Sequence, residues 1–158
     1  MNNPDVIIYT DGSSRGNPGP GGYGIILKDC NSGYVKEYSK GFNLTTNNRM
    51  ELLAVIDALK KLKKENLRII IYTDSQYVIN PIEKQWLVNW KKTNFKNKKN
   101  IDLWLEFLIE QEKHKLQFRW IKGHNDHPQN ERCDKLAVDA SKKKNLFEDK
   151  GYNRNTLL

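Results

Sequence analysis

Two pentapeptides of the chain end in the same acid. Ile7-Ile8-Tyr9-Thr10-Asp11 recurs as Ile70-Ile71-Tyr72-Thr73-Asp74. Short β-branched and aromatic runs read as strands, so each delivers an aspartate at the same offset, at its carboxyl end. If the two strands are parallel neighbours, both carboxylates stand side by side at one edge of a sheet, where ligand sites of open α/β sheets lie. Taken singly, each aspartate would more simply begin a turn. The matching context is what points to a site, although so short an echo does not make a repeat architecture.

Glu51 adds a third acid. Positions 51, 55, 58 and 62 share one helix face and are Glu, Val, Ala and Leu. An ionised carboxylate at the end of an apolar line is costly unless paired or metal-bound. A helix-start glutamate favoured by the macrodipole, worth about 0.3–1 kcal/mol, explains it equally well. Asp134 falls early in a last helix beside Cys133, Ala137 and Ala140, residues of core-facing type, and the dipole explanation serves there too. Ahead of it, Trp120-Ile121-Lys122-Gly123-His124 runs from a strand end into a polar loop. A lone loop histidine is usually just solvated, but His124 stands where a proton shuttle would be useful.

Clustered carboxylates without an activated Ser or Cys are the ligand set of hard divalent ions, with Mg²⁺ held by a few carboxylates plus substrate phosphate oxygens. Two such ions ~3.5–4 Å apart can serve an in-line displacement at phosphorus; Mn²⁺ suits the same ligands. Without the cations the acids would repel each other and a polyanionic substrate as well. Two competing motifs fail. Gly19-Pro20-Gly21-Gly22-Tyr23-Gly24 fits G-x-G-x-x-G, but strand-like Ile25-Ile26-Leu27 follows where a dinucleotide site needs a helix, so the segment reads as a loop before a strand. A zinc site of His124, His127 and Cys133 lacks paired ligands to complete it.

Among the elements that must position these residues, Val6–Thr10, Ile25–Leu27 and Tyr34–Phe42 read as an antiparallel meander. Caps at 45–48 start a helix whose apolar residues Leu52, Val55, Ile56, Leu59 and Leu62 recur at helical spacing. Leu67–Tyr72 is a fourth strand. Short helices follow over Ser75–Ile79 and Glu83–Trp90, separated by Pro81. Ile101–Gln111 is an amphipathic helix, Leu116–Ile121 a fifth strand and Asn130–Lys144 a last helix. This order predicts a mixed sheet with helices packed on it, in one domain over 1–158, with a polar, partly ordered tail from Leu146 to Leu158.

The 158 residues include 27 Lys+Arg against 19 Asp+Glu, a net charge of +8. A positive field favours polyanions. Between Glu83 and Asp102 no acid occurs, yet Lys84, Lys91, Lys92, Lys96, Lys98 and Lys99 do, interleaved with Trp86, Trp90 and Phe95. Cations for phosphates and rings for sugars or bases are what a nucleic-acid groove needs. No apolar run is long enough to span a bilayer, the first residues do not read as a signal peptide, and Cys30 and Cys133 form no disulfide framework. A cytoplasmic monomer without a membrane partner is expected.

Five ordered segments resemble the motifs of the type 1 ribonuclease H family: 9–13, 16–24, 45–52, 73–78, and Gly123-His124 through Asp134. The resemblance spans essentially the whole chain. It implies an α/β, ribonuclease H-like fold: a five-stranded mixed sheet in order 3-2-1-4-5, strands 1–3 antiparallel, 4 and 5 parallel to 1, helices on both faces. It implies cleavage of the RNA strand of RNA–DNA hybrids with two Mg²⁺ ions on Asp11, Glu51, Asp74 and Asp134. His124 would assist water handling or product release. Ser14, Asn17, Asn47, Asn48 and Gln76 would touch the hybrid's minor groove, where 2′-hydroxyls mark RNA. Thr46 would hold a DNA phosphate, and Trp86, Trp90, Lys91 and Lys92 belong to a basic protrusion gripping the DNA strand. Two departures stand out: Ser14 replaces a frequent Cys, and the loop 91–100 is shorter than in the best-known bacterial members. A hybrid-binding module without activity would not need all four acids; an integrase-like DNA-cutting relative would not need the 2′-hydroxyl readers.

Overall fold

Val6, Ile8 and Thr10 alternate with Ile7, Tyr9 and Asp11 across the faces of a strand, and in the computed structural model this strand, β1, runs over Val6–Ser14. The structure describes residues 1–122 and 127–152. β1 continues past the expected end at Thr10 because it has two partners. Its parallel ladder to β4 (Arg68–Thr73) covers Val6 to Tyr9, while its antiparallel ladder to β2 (Gly19–Asp29) carries on to Ser14 opposite Gly21. β2 pairs antiparallel with β3 (Val35–Thr45), and β4 pairs parallel with β5 (Lys115–Trp120). The resulting order is β3-β2-β1-β4-β5, as expected. Ile7 faces Ile70 and Tyr9 faces Tyr72, so the register of β1 on β4 is the offset of the sequence echo itself.

Helices cover both faces of the sheet. α1 (Asn47–Lys60) begins where the Thr46 hydroxyl accepts the Arg49 N–H, an ordinary side-chain cap. α5 (Pro128–Ser141) begins on His127, whose Nδ1 accepts the Asn130 N–H, with Pro128 in the first turn. A Cβ on Gly12 would run into the Met50 backbone of α1, and one on Gly24 into the Cys133 carbonyl of α5. Gly24 lies opposite Asp11, one position along from Gly12, so these adjacent strand positions look at opposite helices. The glycine-rich segment 19–24, expected as a loop, is therefore strand. Bare backbone there lets α5 lie directly on β2, and the packing holds the segment extended.

The core fills the space between the sheet and α1. Ile8, Ile25, Ile69 and Ile71 meet Met50, Leu52, Val55, Ile56 and Leu59, closed off by Trp104 and Phe107 of α4 (Ile101–Gln111). Between β4 and α4 run α2 (Gln76–Glu83) and α3 (Trp86–Lys92). Pro81 lies inside α2 rather than separating two helices. Burial of Val78, Ile79 and Pro81 outweighs the single backbone bond the proline gives up. No described helix is long and apolar enough to cross a membrane.

One buried cation ties the start of α1 to distant chain. Arg49, 1% exposed, donates through Nε and Nη2 to Asp149 at 2.7 and 2.9 Å and through Nη1 and Nη2 to Asp102 at 2.9 and 2.7 Å. Asp149 also accepts the Thr45 hydroxyl at 2.8 Å, and Phe147 bridges to the end of β3. Residues 146–152 thus pack on the body, and 153–158 lie outside the described residues. Arg49→Ala strands a buried carboxylate and is expected to cost about 3–5 kcal/mol, lowering Tm by roughly 6–20 °C. Arg49→Lys should recover only part, because an ammonium cannot fork onto two carboxylates. A calorimetric Tm for Arg49→Ala equal to the parent's would mean that the clamp contributes nothing to stability.

Candidate active site

Three elements each deliver one acid to a common point. Asp11 comes from β1, Glu51 from the start of α1, and Asp74 from the junction where β4 ends at Thr73 and Ser75 caps α2. One carboxylate oxygen from each lies within 4.8 Å of the other two. The Gly12 N–H donates both to Asp11 Oδ1 at 3.0 Å and to Glu51 Oε1 at 2.5 Å, so a single peptide pins two of the acids. Gly12 can do this because α1 sits against its bare Cα. Asp11 is buried at 4% exposed, and Glu51 and Asp74 are half-buried.

The electrostatics follow from that placement. Burial, then the charge of Asp74, and to a smaller degree that of Asp134, push Asp11 up to about 8, against the opposing pull of its hydrogen bonds to Glu51 and the Gly12 N–H. Burial, then the charges of Asp11 and Asp74, hold Glu51 well above the usual carboxylate range. Among the described residues no lysine or arginine forms an ion pair with any of the three. Oxygen donors of like charge, close together and without an organic counter-ion, fit a hard divalent cation such as Mg²⁺.

The structure treats the other expected site residues unequally. Asp134 sits half-buried on α5, outside the group of three but close enough for its charge to act on Asp11. Its helix is held to β1 by the Cys133 thiol, which donates to the Tyr9 carbonyl at 3.4 Å, and by His127 packed on the stacked rings of Tyr9 and Tyr72. His124 lies outside the described residues. Ser14, Asn17 and Asn47 are brought together: the Asn47 carboxamide oxygen accepts the Ser14 N–H at 2.7 Å, and Asn17 Oδ1 accepts the Asn47 N–H at 3.1 Å. Asn48 and Gln76 are exposed near the starts of α1 and α2. Trp86 is exposed and Lys91 and Lys92 are solvated, whereas Trp90 is half-buried with its ring edge-on to Trp104 and Lys98 above it.

Two contacts have no signal in the sequence alone. A cavity of about 620 Å³ brings Lys98, Lys99 and Asn100 to the same wall as Asn17, Thr46 and Asn48. The lysine-rich window points to these cations, but only the tertiary fold pairs them with Thr46. The second is Trp120, half-exposed, whose indole N–H donates to the Asp74 carbonyl at 3.2 Å.

The family model for RNase H matches residues 3–142. The chain belongs to the RNase H family. It is 48% identical over 157 residues to a ribonuclease H of Nitratidesulfovibrio vulgaris (strain DP4), covering 96% of this chain and 99% of that one. Among solved structures it is similar to LC9-RNase H1, a type 1 RNase H with the type 2 active-site motif, at a TM-score of 0.78 and 32% identity over 89% of this chain and 74% of that one. It is also similar to LC11-RNase H1 in complex with an RNA/DNA hybrid, at a TM-score of 0.65 and 27% identity over 85% and 95% of the two chains. With its family's sheet and a carboxylate cluster in place, this chain is an enzyme of the RNase H type.

In this RNase H, the raised Asp11 binds its proton more tightly folded, at about 8, than unfolded, near ~4. The metal-free fold therefore loses stability through this group as pH rises from the lower value to the upper, and bears the full penalty above it. Asp11→Asn removes the charge. In EDTA its Tm should exceed the parent's by roughly 3–10 °C at pH 9, with a smaller gain at pH 5. Added Mg²⁺ should stabilise the parent more than the variant. A variant less stable than the parent at pH 9 would contradict the penalty of burying and crowding this charge.

Proposed function

We propose that Asp11, Glu51, Asp74 and Asp134 hold two Mg²⁺ ions, for which Mn²⁺ can substitute, and that with them the enzyme hydrolyses the RNA strand of RNA–DNA hybrids, leaving 5′-phosphate and 3′-hydroxyl ends. The observation that carries this is the meeting of three buried or half-buried carboxylates from separate elements, with no lysine or arginine among the described residues paired to them. Bound there, the ions would supply water activation and charge stabilisation at the leaving 3′-oxygen. The chain's own residues do the positioning. The Gly12 N–H fixes Asp11 and Glu51 relative to each other, and Asp134 approaches from α5 to complete the set. His124 would take up and release a proton beside the attacking water or help free the product.

Strand choice rests on the surrounding surface. Ser14, Asn17, Asn47, Asn48 and Gln76 offer neutral donors and acceptors to minor-groove edges and 2′-hydroxyls. The bonds linking Ser14, Asn17 and Asn47 keep them ordered before substrate arrives. Thr46 would take a DNA phosphate with Lys98 and Lys99 on the same cavity wall. Trp86, Trp90, Lys91 and Lys92 would grip the DNA strand farther along, over the shortened loop. The hybrid seen on LC11-RNase H1 supports this reading by likeness. Cys30 and Cys133 are free thiols, in keeping with the reducing cytoplasm, where the enzyme would act as a monomer.

A labelled RNA–DNA hybrid with Mg²⁺ tests the assignment. Asp11→Asn and Asp74→Asn should each take cleavage to background with hybrid binding retained, and unaltered cleavage by either would sink it. DNA duplex cut as fast as hybrid would favour an integrase-like activity. Replacing Lys91 and Lys92 by Ala should raise KM and reduce the salt slope by about one for each phosphate no longer neutralised. A loss confined to kcat would remove their grip role.

A further inference from the structure

Asp74 belongs to neither a strand nor a helix. It bridges β4, which ends at Thr73, and α2, which Ser75 caps. Its neighbours are fixed on both sides: the Thr73 carbonyl accepts the Ile121 N–H at 2.9 Å, and the Ser75 N–H donates to Thr73 Oγ1 at 3.1 Å. The carbonyl of Asp74 itself is held by a side chain, the indole N–H of Trp120 at 3.2 Å. Trp120 can reach because β5 runs parallel to β4 with Trp120 in register with Thr73, which puts the ring one residue short of the carboxylate.

The ring's surroundings argue against a packing role. Trp120 is 49% exposed, at the end of a strand, and is absent from the core cluster. An indole donates only through its single N–H. Here that donor goes to one peptide, the one carrying an acid of the cluster. We propose that Trp120 is a positioning residue for Asp74: its hydrogen bond sets the peptide plane at the β4–α2 junction and thereby keeps the third carboxylate within reach of Asp11 and Glu51. This rests on the reading of Asp74 as a metal ligand. Supporting bonds that orient ligands are worth tenfold or more in metal affinity where they act on the ligand directly; acting through a backbone carbonyl, roughly three- to tenfold is expected here.

Trp120→Phe keeps a ring of similar character and removes the N–H. Titrated calorimetrically with Mg²⁺ in the absence of nucleic acid, it should bind the ion about three- to tenfold more weakly. In turnover, the Mg²⁺ needed for half-maximal cleavage should rise in step, with KM for hybrid and Tm close to the parent's. In an Asp74→Asn background the same substitution should have no further effect on Mg²⁺ affinity. Unchanged Mg²⁺ dependence overturns the proposal, whatever happens to Tm. So does a rise in KM alone, which would make the ring a substrate contact. If Asp74→Asn itself leaves Mg²⁺ binding and cleavage intact, the underlying site reading fails; if that variant is dead and Trp120→Phe is silent, only the role of Trp120 fails.

Discussion

The cost of withdrawing clustered carboxylates from water and crowding their like charges is the constraint around which this molecule is arranged. Asp11, Glu51 and Asp74 meet within 4.8 Å in a partly water-excluded corner, and nothing in that arrangement favours folding unless a cation is present. The free energy that holds them together comes from elsewhere. Isoleucines on β1 and β4 pack on the apolar face of α1, and the Arg49 clamp joins the start of that helix to Asp102 and Asp149. The site is strained electrostatically and supported by ordinary packing behind it, a common division of labour where function opposes stability.

That division also reconciles an acidic centre with a basic protein. The lysines of the 91–99 window lie on α3, in the loop after it and along the wall shared with Thr46, while the clustered acids occupy the end of the β1–β4 pair. Segregation lets a polyanion be drawn to the surface by one set of charges and have its scissile phosphate neutralised at the other, through a divalent ion. Had lysines been interleaved with the acids, they would have paired with them and removed the need for metal. The amide-bearing residues Asn17 and Asn47, linked to Ser14, are neutral groups that can inspect a groove without adding to either field.

The periodic parts of the chain are legible in its sequence and the context-dependent parts are not. Ile101–Gln111 has its expected bounds, since a long apolar period needs no outside help to specify a helix. Segment 19–24 defeats local reasoning because glycine and proline in sequence signal a loop, whereas in space the missing side chains admit α5 against β2. Pro81 suggests a break because its local cost is visible in sequence and the burial that offsets it is not. Trp90 has the look of a surface aromatic, yet half of it is committed to Trp104.

Residue order sets the strand echo, and with it the offset that places Tyr9 on Tyr72 and carries Asp11 and Asp74 forward together. It also determined the apolar line behind Glu51 and the one-sign lysine window. Those are properties of residue order, which side-chain period converts directly into faces and ends. That β1 and β4 are neighbours was implied by the family resemblance and is observed, whereas the tertiary fold was needed to show that the Gly12 peptide binds two acids at once and that Asp134 stands outside the tight group of three. The tertiary fold alone revealed Arg49 as a buried clamp and brought Trp120 to the Asp74 carbonyl. Each of these depends on chain segments far apart in sequence meeting at hydrogen-bonding distance, and no local pattern encodes such a meeting.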